Sequence, residues 1–266
     1  DPQMEAEAKR RFAISVDAMA SDRYREAANA LHWLMKNAPD LYDGLYINGY
    51  KAYEGLAEAE KDEAKQNVYL DSMFLSFELK GKYFELTDLE LNNEAYRYYK
   101  YWKTNKSKMA EALHAYEVAY KNPKEVINNN IVSYMDMVRR AKAYGENISN
   151  DKVFDVYTLV METIDLKEQQ GEDADKLEKY RDAVNSLLTM TMGDDLNCDF
   201  INNNLAPKLD QSPDIKIAKK VFGLLLNQQC SDSPYFLKAA EIIQKEEPTE
   251  GIAKVIAQRA AVAEEY

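Results

Sequence analysis

Ser21 to Leu56 reads SDRYREAANALHWLMKNAPDLYDGLYINGYKAYEGL, and its punctuation decides the fold. Ala27, Leu31 and Leu34 fall at i, i+4 and i+7, one small and two large residues on a single helical stripe. Pro39 ends that helix by removing a donor and pushing Ala38 out of the helical region, and Asp40 to Asp43 supply turn and capping residues for a new start. Beyond the turn Gly49 sits among Leu45, Tyr46, Ile47, Tyr50, Ala52, Tyr53 and Leu56. Glycine inside a helix costs about 1 kcal/mol relative to alanine, so its presence there predicts a closely approaching backbone. The stretch reads as one helix, a turn, and the first helix of the next pair.

With Tyr24 at its entry, followed by the Ala27, Leu31, Leu34 and Pro39 series and then by Leu45 and Gly49, the stretch resembles a tetratricopeptide repeat. Asn48 and Ala52 stand where that family has larger apolar residues, so the following unit resembles a degenerate copy. The resemblance implies an all-α, right-handed superhelix of antiparallel helix pairs whose concave face, lined by first helices, binds peptides or proteins. With degenerate repeats and cysteines flanking a C-terminal hairpin, the chain is also similar to exported repeat proteins of the Bacteroidetes type.

The 266 residues carry a formal net charge of -12, the wrong sign for gaining affinity by neutralising phosphate backbones, so nucleic acid is not an expected partner. No apolar run approaches the ~20 residues that cross a bilayer, and no helix has a basic amphipathic face. Glycine and proline are scarce, and alanine, leucine, glutamate, lysine and tyrosine dominate, which reads as all-α. The opening DPQMEAEAKRR has neither initiator methionine nor leader, compatible with a processed exported chain and equally with a trimmed one.

Outward from the deciding stretch, Glu5 to Met19 reads as a first helix and Lys61 to Lys80 as a fourth, stopped at Gly81. Lys82 to Leu91 reads as an irregular connector, Asn92 to Asn105 as a tyrosine-rich helix, and Ser107 as the cap of its partner, in which Ala112, Tyr116 and Ala119 repeat the stripe before Pro123. Lys124 to Tyr144 and Asn150 to Gln170 form a pair around Gly145, and Glu172 to Met192 is a long helix ended by Gly193. Leu196 to Leu209 and Asp214 to Gln229 form a hairpin with Ser212-Pro213 as a cap signature, repeated by Ser233-Pro234 before the helix that Pro248 closes. Thr249 caps a last helix, Glu250 to Tyr266, whose Ile252, Val255, Ile256 and Val262 make either an imperfect cap or a sign that the natural chain continues. The sum is one domain over 1–266, with about six helix pairs plus a terminal helix.

No constellation carries a reaction. His32 and His114 lie in helix segments with no nucleophile beside them, phosphate-loop and metalloprotease motifs are missing, and runs such as Glu58, Glu60, Asp62 and Glu63 read as solvated faces. A non-catalytic protein- or peptide-binding scaffold without cofactor is therefore expected, with a glycan or small-ligand receptor and an accessory subunit of an enzyme as alternatives.

Tyr46, Tyr50 and Tyr53 crowd one first helix, and Tyr96, Tyr98, Tyr99, Tyr101 and Trp102 crowd another. They form either a binding face or ordinary helix packing. Ile47-Asn48-Gly49, Ile127-Asn128-Asn129 and Ile201-Asn202-Asn203 recur about two repeat lengths apart, and Asn48, Asn128 and Asn129 join the candidate face as amides suited to a peptide backbone, with chance recurrence or helix-start capping as the alternatives. Arg139, Arg140 and Lys142 form one isolated basic cluster. Cys198 opens one member of the C-terminal hairpin and Cys230 closes the next, so both fall at the same end, where a disulfide is geometrically allowed; two packed thiols are the alternative. A bridge implies an oxidising compartment, and with the N-terminus it favours a periplasmic or otherwise extracytoplasmic location over the cytoplasm.

Overall fold

The computed structural model describes residues 2–211 and 213–264, with side chains up to 261. Among these the chain is all-α: α1 (Pro2–Ala20), α2 (Tyr24–Asn37), α3 (Gly44–Ala59), α4 (Glu63–Tyr83), α5 (Asp88–Trp102), α6 (Met109–Ala119), α7 (Asn129–Ala143), α8 (Asn150–Gln169), α9 (Ala174–Met192), α10 (Cys198–Asn204), α11 (Lys208–Gln211), α12 (Ile215–Asn227), α13 (Pro234–Glu246) and α14 (Glu250–Glu264). Short 3-10 turns lie at Lys106–Lys108, Pro123–Glu125 and Gly193–Asp195. Two compact units divide the chain, 1–148 with 156–184 and 149–155 with 185–266, with boundaries just before α8, inside α8 and inside α9.

In the first unit each helix packs on the next from α1 to α7, and α1 also touches α3 as α5 touches α7. The deciding stretch folds as read. Ala27, Leu31 and Leu34 are fully buried, and Ala38 before Pro39 has left the helical region at φ -148° and ψ 57° while its N–H still bonds to Leu34 O. Gly49 is a site of close approach, but by side chains and not by a backbone. A Cβ there would lie 2.4 Å from Met35 Cε and 3.1 Å from Ser76 Oγ, so the glycine lets α2 and α4 close on α3.

Several boundaries differ from expectation for identifiable reasons. Gly81 does not stop α4, which runs on to Tyr83. The expected connector contains the start of α5, because Thr87 and Glu90 form a capping box, each side chain meeting the other's backbone N–H. Glu90 Oε2 also accepts from Lys80 Nζ at 2.9 Å, with the two side chains 7% and 3% exposed, so a buried ion pair locks the α4–α5 corner. Asn105, not Ser107, is the capping residue after α5; it opens the Lys106–Lys108 turn by accepting from Ser107 N, and α6 begins at Met109. The expected helix from Lys124 is broken by the Pro123–Glu125 turn and an extended Val126, and it starts at Asn129. Gly145, at φ +94°, closes α7 in a conformation that favours glycine.

In the second unit α12 packs on α13, α13 on α14, and the short α10 and α11 on α12. The expected helix from Leu196 to Leu209 is two pieces with Pro207 in the turn between them, and Asn197 caps the first through Phe200 N at 2.9 Å. Ser212 lies outside the described residues. Asp214 caps α12, accepting from Lys216 N and Ile217 N. Ser233 and Thr249 cap α13 and α14 as expected, accepting from Tyr235 N and Ile252 N. Ile252, Val255 and Ile256 are half-buried, and Val262 lies beyond the described side chains. Cys198 and Cys230 form a disulfide with Cα atoms 5.5 Å apart, tying the start of α10 to the end of α12.

Candidate functional site

Most of the aromatic candidates are helix-packing residues. Tyr46 is fully buried and its hydroxyl donates to Pro39 O at 2.8 Å, which staples α3 to the turn before it. Tyr50 stacks on Phe77 at 4.4 Å, and Tyr98 and Trp102 stand 4.1 and 4.4 Å from Phe74. Tyr53, at 8% exposure, is buried with them. Burial, with Tyr83 and Asp40 adding to it, pushes the Tyr46 hydroxyl up to about 12, and burial alone raises that of Tyr53 above its ordinary value. Packing thus accounts for these five, and the half-buried Tyr101 donates its hydroxyl to Glu54 and Glu58.

The asparagines serve separate purposes. Asn48 is half-buried on α3, Asn129 is exposed, and Asn128 Nδ2 donates to Glu172 Oε2 at 3.3 Å. Asn202, in the third copy of the tripeptide, accepts from Ser233 Oγ beside the α13 cap. The structural amides missed in the sequence are Asn92 and Asn130, both fully buried. Asn130 Nδ2 donates to Asn92 O and Oδ1 at 2.8 and 2.9 Å, and Asn92 Oδ1 also accepts from Ile127 N, which fixes the loop before α7 against α5. Asn130 directly follows the tripeptide, so periodicity pointed one residue short.

A surface site forms where the turn from α1 to α2 flanks α3 and Lys100 of α5 reaches over it. A pocket of about 340 Å³ is lined by Asp22, Tyr24, Lys51, Glu54, Glu58 and Lys100, with Gly55 in its floor. The Tyr24 ring lies on Gly55 so closely that a Cβ there would stand 2.5 Å from Tyr24 Cδ2. Glu54 Oε2 accepts from Arg97 Nη2 at 2.6 Å and Nε at 3.0 Å, while Oε1 accepts from Lys100 Nζ at 3.1 Å and Tyr101 Oη at 2.9 Å. Glu58 Oε1 takes Lys100 at 2.6 Å, and the Tyr101 hydroxyl is shared with it at 2.9 Å. Burial opposes the charge on Glu54, yet Arg97, Lys100 and Tyr101 together hold its carboxyl below the usual range. The Lys100 ammonium, opposed by burial and favoured by Glu58, Tyr101 and Glu54, stays charged well above its ordinary value. Arg97 also lies over the Tyr50 and Phe77 rings at 5.0 and 5.8 Å, so these buried rings support the charged layer above them.

A second cluster joins α5 to α7. Asp136, 7% exposed, accepts from Tyr99 Oη at 3.0 Å, from Arg139 Nε at 2.8 Å and from Arg140 Nε at 2.7 Å. Burial raises the Asp136 carboxyl, and the two guanidiniums outweigh it and hold the group ionised. Lys103 Nζ sits 4.9 Å above the Tyr99 ring, and the Tyr96 ring stacks on Tyr99 at 6.5 Å. Arg139 and Arg140, isolated in sequence, thus join residues of α5.

His32 and His114 are exposed. Among the described residues no group of three His, Cys, Asp or Glu side chains is placed to hold a metal ion, and no helix is long and apolar enough to cross a membrane. Comparison with protein-family models, with curated proteins and with solved structures finds no match.

Proposed function

We propose that this chain is a non-catalytic scaffold that binds a polypeptide across α3, α5 and α7. Its helix pairs would stack in series in the manner of tetratricopeptide repeats, as a right-handed superhelix. The odd-numbered helices α1 and α3, and α5 and α7, touch each other besides their sequence neighbours, as first helices of successive repeats do, which supports the stacking. The observation that carries the binding reading is the pocket walled by the α1–α2 turn, α3 and α5, whose Glu54, Glu58 and Lys100 are held in place with Arg97 and Tyr101 before any ligand arrives. A preordered polar rim over buried aromatic rings suits a polypeptide, which brings both side-chain charges and backbone groups.

A sugar-stacking receptor finds less support, since Tyr24 is the one aromatic ring lining the pocket. The disulfide supports an oxidising compartment such as the periplasm. Photo-crosslinking tests the assignment. A photoreactive residue at position 51 or 103 should yield an adduct with a specific polypeptide in cells, while one at the exposed Leu75 of α4 should not; equal labelling from all three would refute it.

A further inference from the structure

The chain is strongly acidic, yet Lys103 follows directly on the end of α5 and Arg139 and Arg140 lie in the C-terminal part of α7, joined through Tyr99 and Asp136. A helix C-terminus favours cations, and that accounts for lysines in the last turn. It does not account for two adjacent arginines gripping one buried carboxylate. Asp136 uses Nε of both arginines and Nη2 of Arg139, reached at 2.7 Å, which orients the guanidinium planes and leaves Arg139 Nη1 and both Nη atoms of Arg140 without an acceptor among the described residues. These side chains are 29% and 24% exposed, so they are neither solvated freely nor internally satisfied. Tyr99 bridges the helices: its hydroxyl meets the same carboxylate and its ring carries the Lys103 ammonium, which has no ion pair among the described residues.

We propose that Arg139, Arg140 and Lys103 form a binding site for a tetrahedral oxyanion, the phosphate or sulfate ester group of a ligand, with Asp136 and Tyr99 as positioning residues. Donors arriving from α7 and from the residue just beyond α5 suit three oxygens disposed around one centre; a planar carboxylate is satisfied by a single guanidinium fork. Asp136 prepays the orientation of both arginines and cancels one of their charges, so a dianion brings the group close to neutrality. The site stands whether or not a polypeptide is the partner on the neighbouring pocket.

The test titrates the intact protein with phenyl phosphate, phenyl sulfate and benzoate at matched ionic strength, following the arginine Nε–Hε resonances. Expected are saturable shifts of Arg139 and Arg140 with at least one of the two esters, with benzoate binding about tenfold more weakly, the worth of one charge-assisted hydrogen bond. Stronger phosphate than sulfate binding, or the reverse, assigns the ester. Arg140→Gln should weaken binding about tenfold. Because that change also removes a partner from buried Asp136 and can unfold the chain, Lys103→Gln, which disturbs only a ring contact, is measured beside it and should weaken binding about threefold. Linear, non-saturating shifts, benzoate binding as tightly as the esters, or a Lys103→Gln protein titrating like the parent would each overturn the site.

Discussion

Arg97 Nη2 stands 2.6 Å from Glu54 Oε2, with the two side chains only 14% and 15% exposed, and this pair joins α3 to α5 beneath the pocket. Removing the cation by Arg97→Met leaves Glu54 with Lys100 and Tyr101 as remaining partners, so the cost falls short of breaking a wholly buried pair and should be about 2 kcal/mol. Urea unfolding measures it, and a cycle with Glu54→Gln should return a coupling of about 1 kcal/mol or more.

Glu94 offers the opposite case. It is half-buried on α5, and burial alone pushes its carboxyl up to about 7 from an ordinary 4.5. The folded chain therefore keeps this proton where the unfolded chain has lost it, so the group's contribution to stability declines as pH rises from about 4.5 to about 7 and is level above that. Glu94→Gln should leave stability at pH 4 nearly unchanged and raise it at pH 8 by about 1 to 3 kcal/mol, as read from denaturation at both pH values. Glu54 and Glu90, whose carboxyls are held low, act with the other sign: their stabilisation is present above the ordinary carboxylate range and is lost as pH falls through their folded values, below about 4.5.

The disulfide closes a loop of 32 residues within the second unit. The chain-entropy estimate assigns it about 3 to 4 kcal/mol. Reduction, or Cys198→Ser with Cys230→Ser, should lower the unfolding free energy of the segment from 185 onward by that amount, and hydrogen exchange should show α1 to α6 unaffected.

Two glycines that look alike in sequence should behave differently on substitution by alanine. At Gly49 the nearest obstacle is the far end of Met35, which can swing away, although Ser76 remains close. At Gly55 the obstacle is the Tyr24 ring, held by its hydroxyl bond to Asp22 at 2.8 Å. Gly55→Ala should cost about 1 to 3 kcal/mol and distort the pocket floor, with a smaller loss for Gly49→Ala. Melting temperatures compare them.

The helices were legible because each depends on signals a few residues apart: the Ala27, Leu31, Leu34 stripe, the stop at Pro39, the caps at Ser233 and Thr249. Thr87 to Glu90 was equally local, yet the mixed aromatic, leucine and acidic run from Lys82 to Leu91 masks its capping box. The disulfide could be placed because both cysteines sat at one end of a hairpin, and that survived the break of its first helix at Pro207. The site was legible only in part. Composition marked the tyrosines, but which of them sink depends on where α4 lies: Tyr50 and Tyr98 are covered by its Phe77 and Phe74. Arg139 and Arg140 could not be joined to Tyr99 and Lys103 because nothing in a one-dimensional spacing of about forty residues reports that α5 and α7 touch.

Whether α3, α5 and α7 present one binding face is tested most directly by hydrogen exchange on the complex with the crosslinked polypeptide. Protection should increase in the peptides spanning 48–58, 93–103 and 129–142 and remain unchanged across α4, 63–83. Protection gained on α4 with none on the other three segments would contradict it.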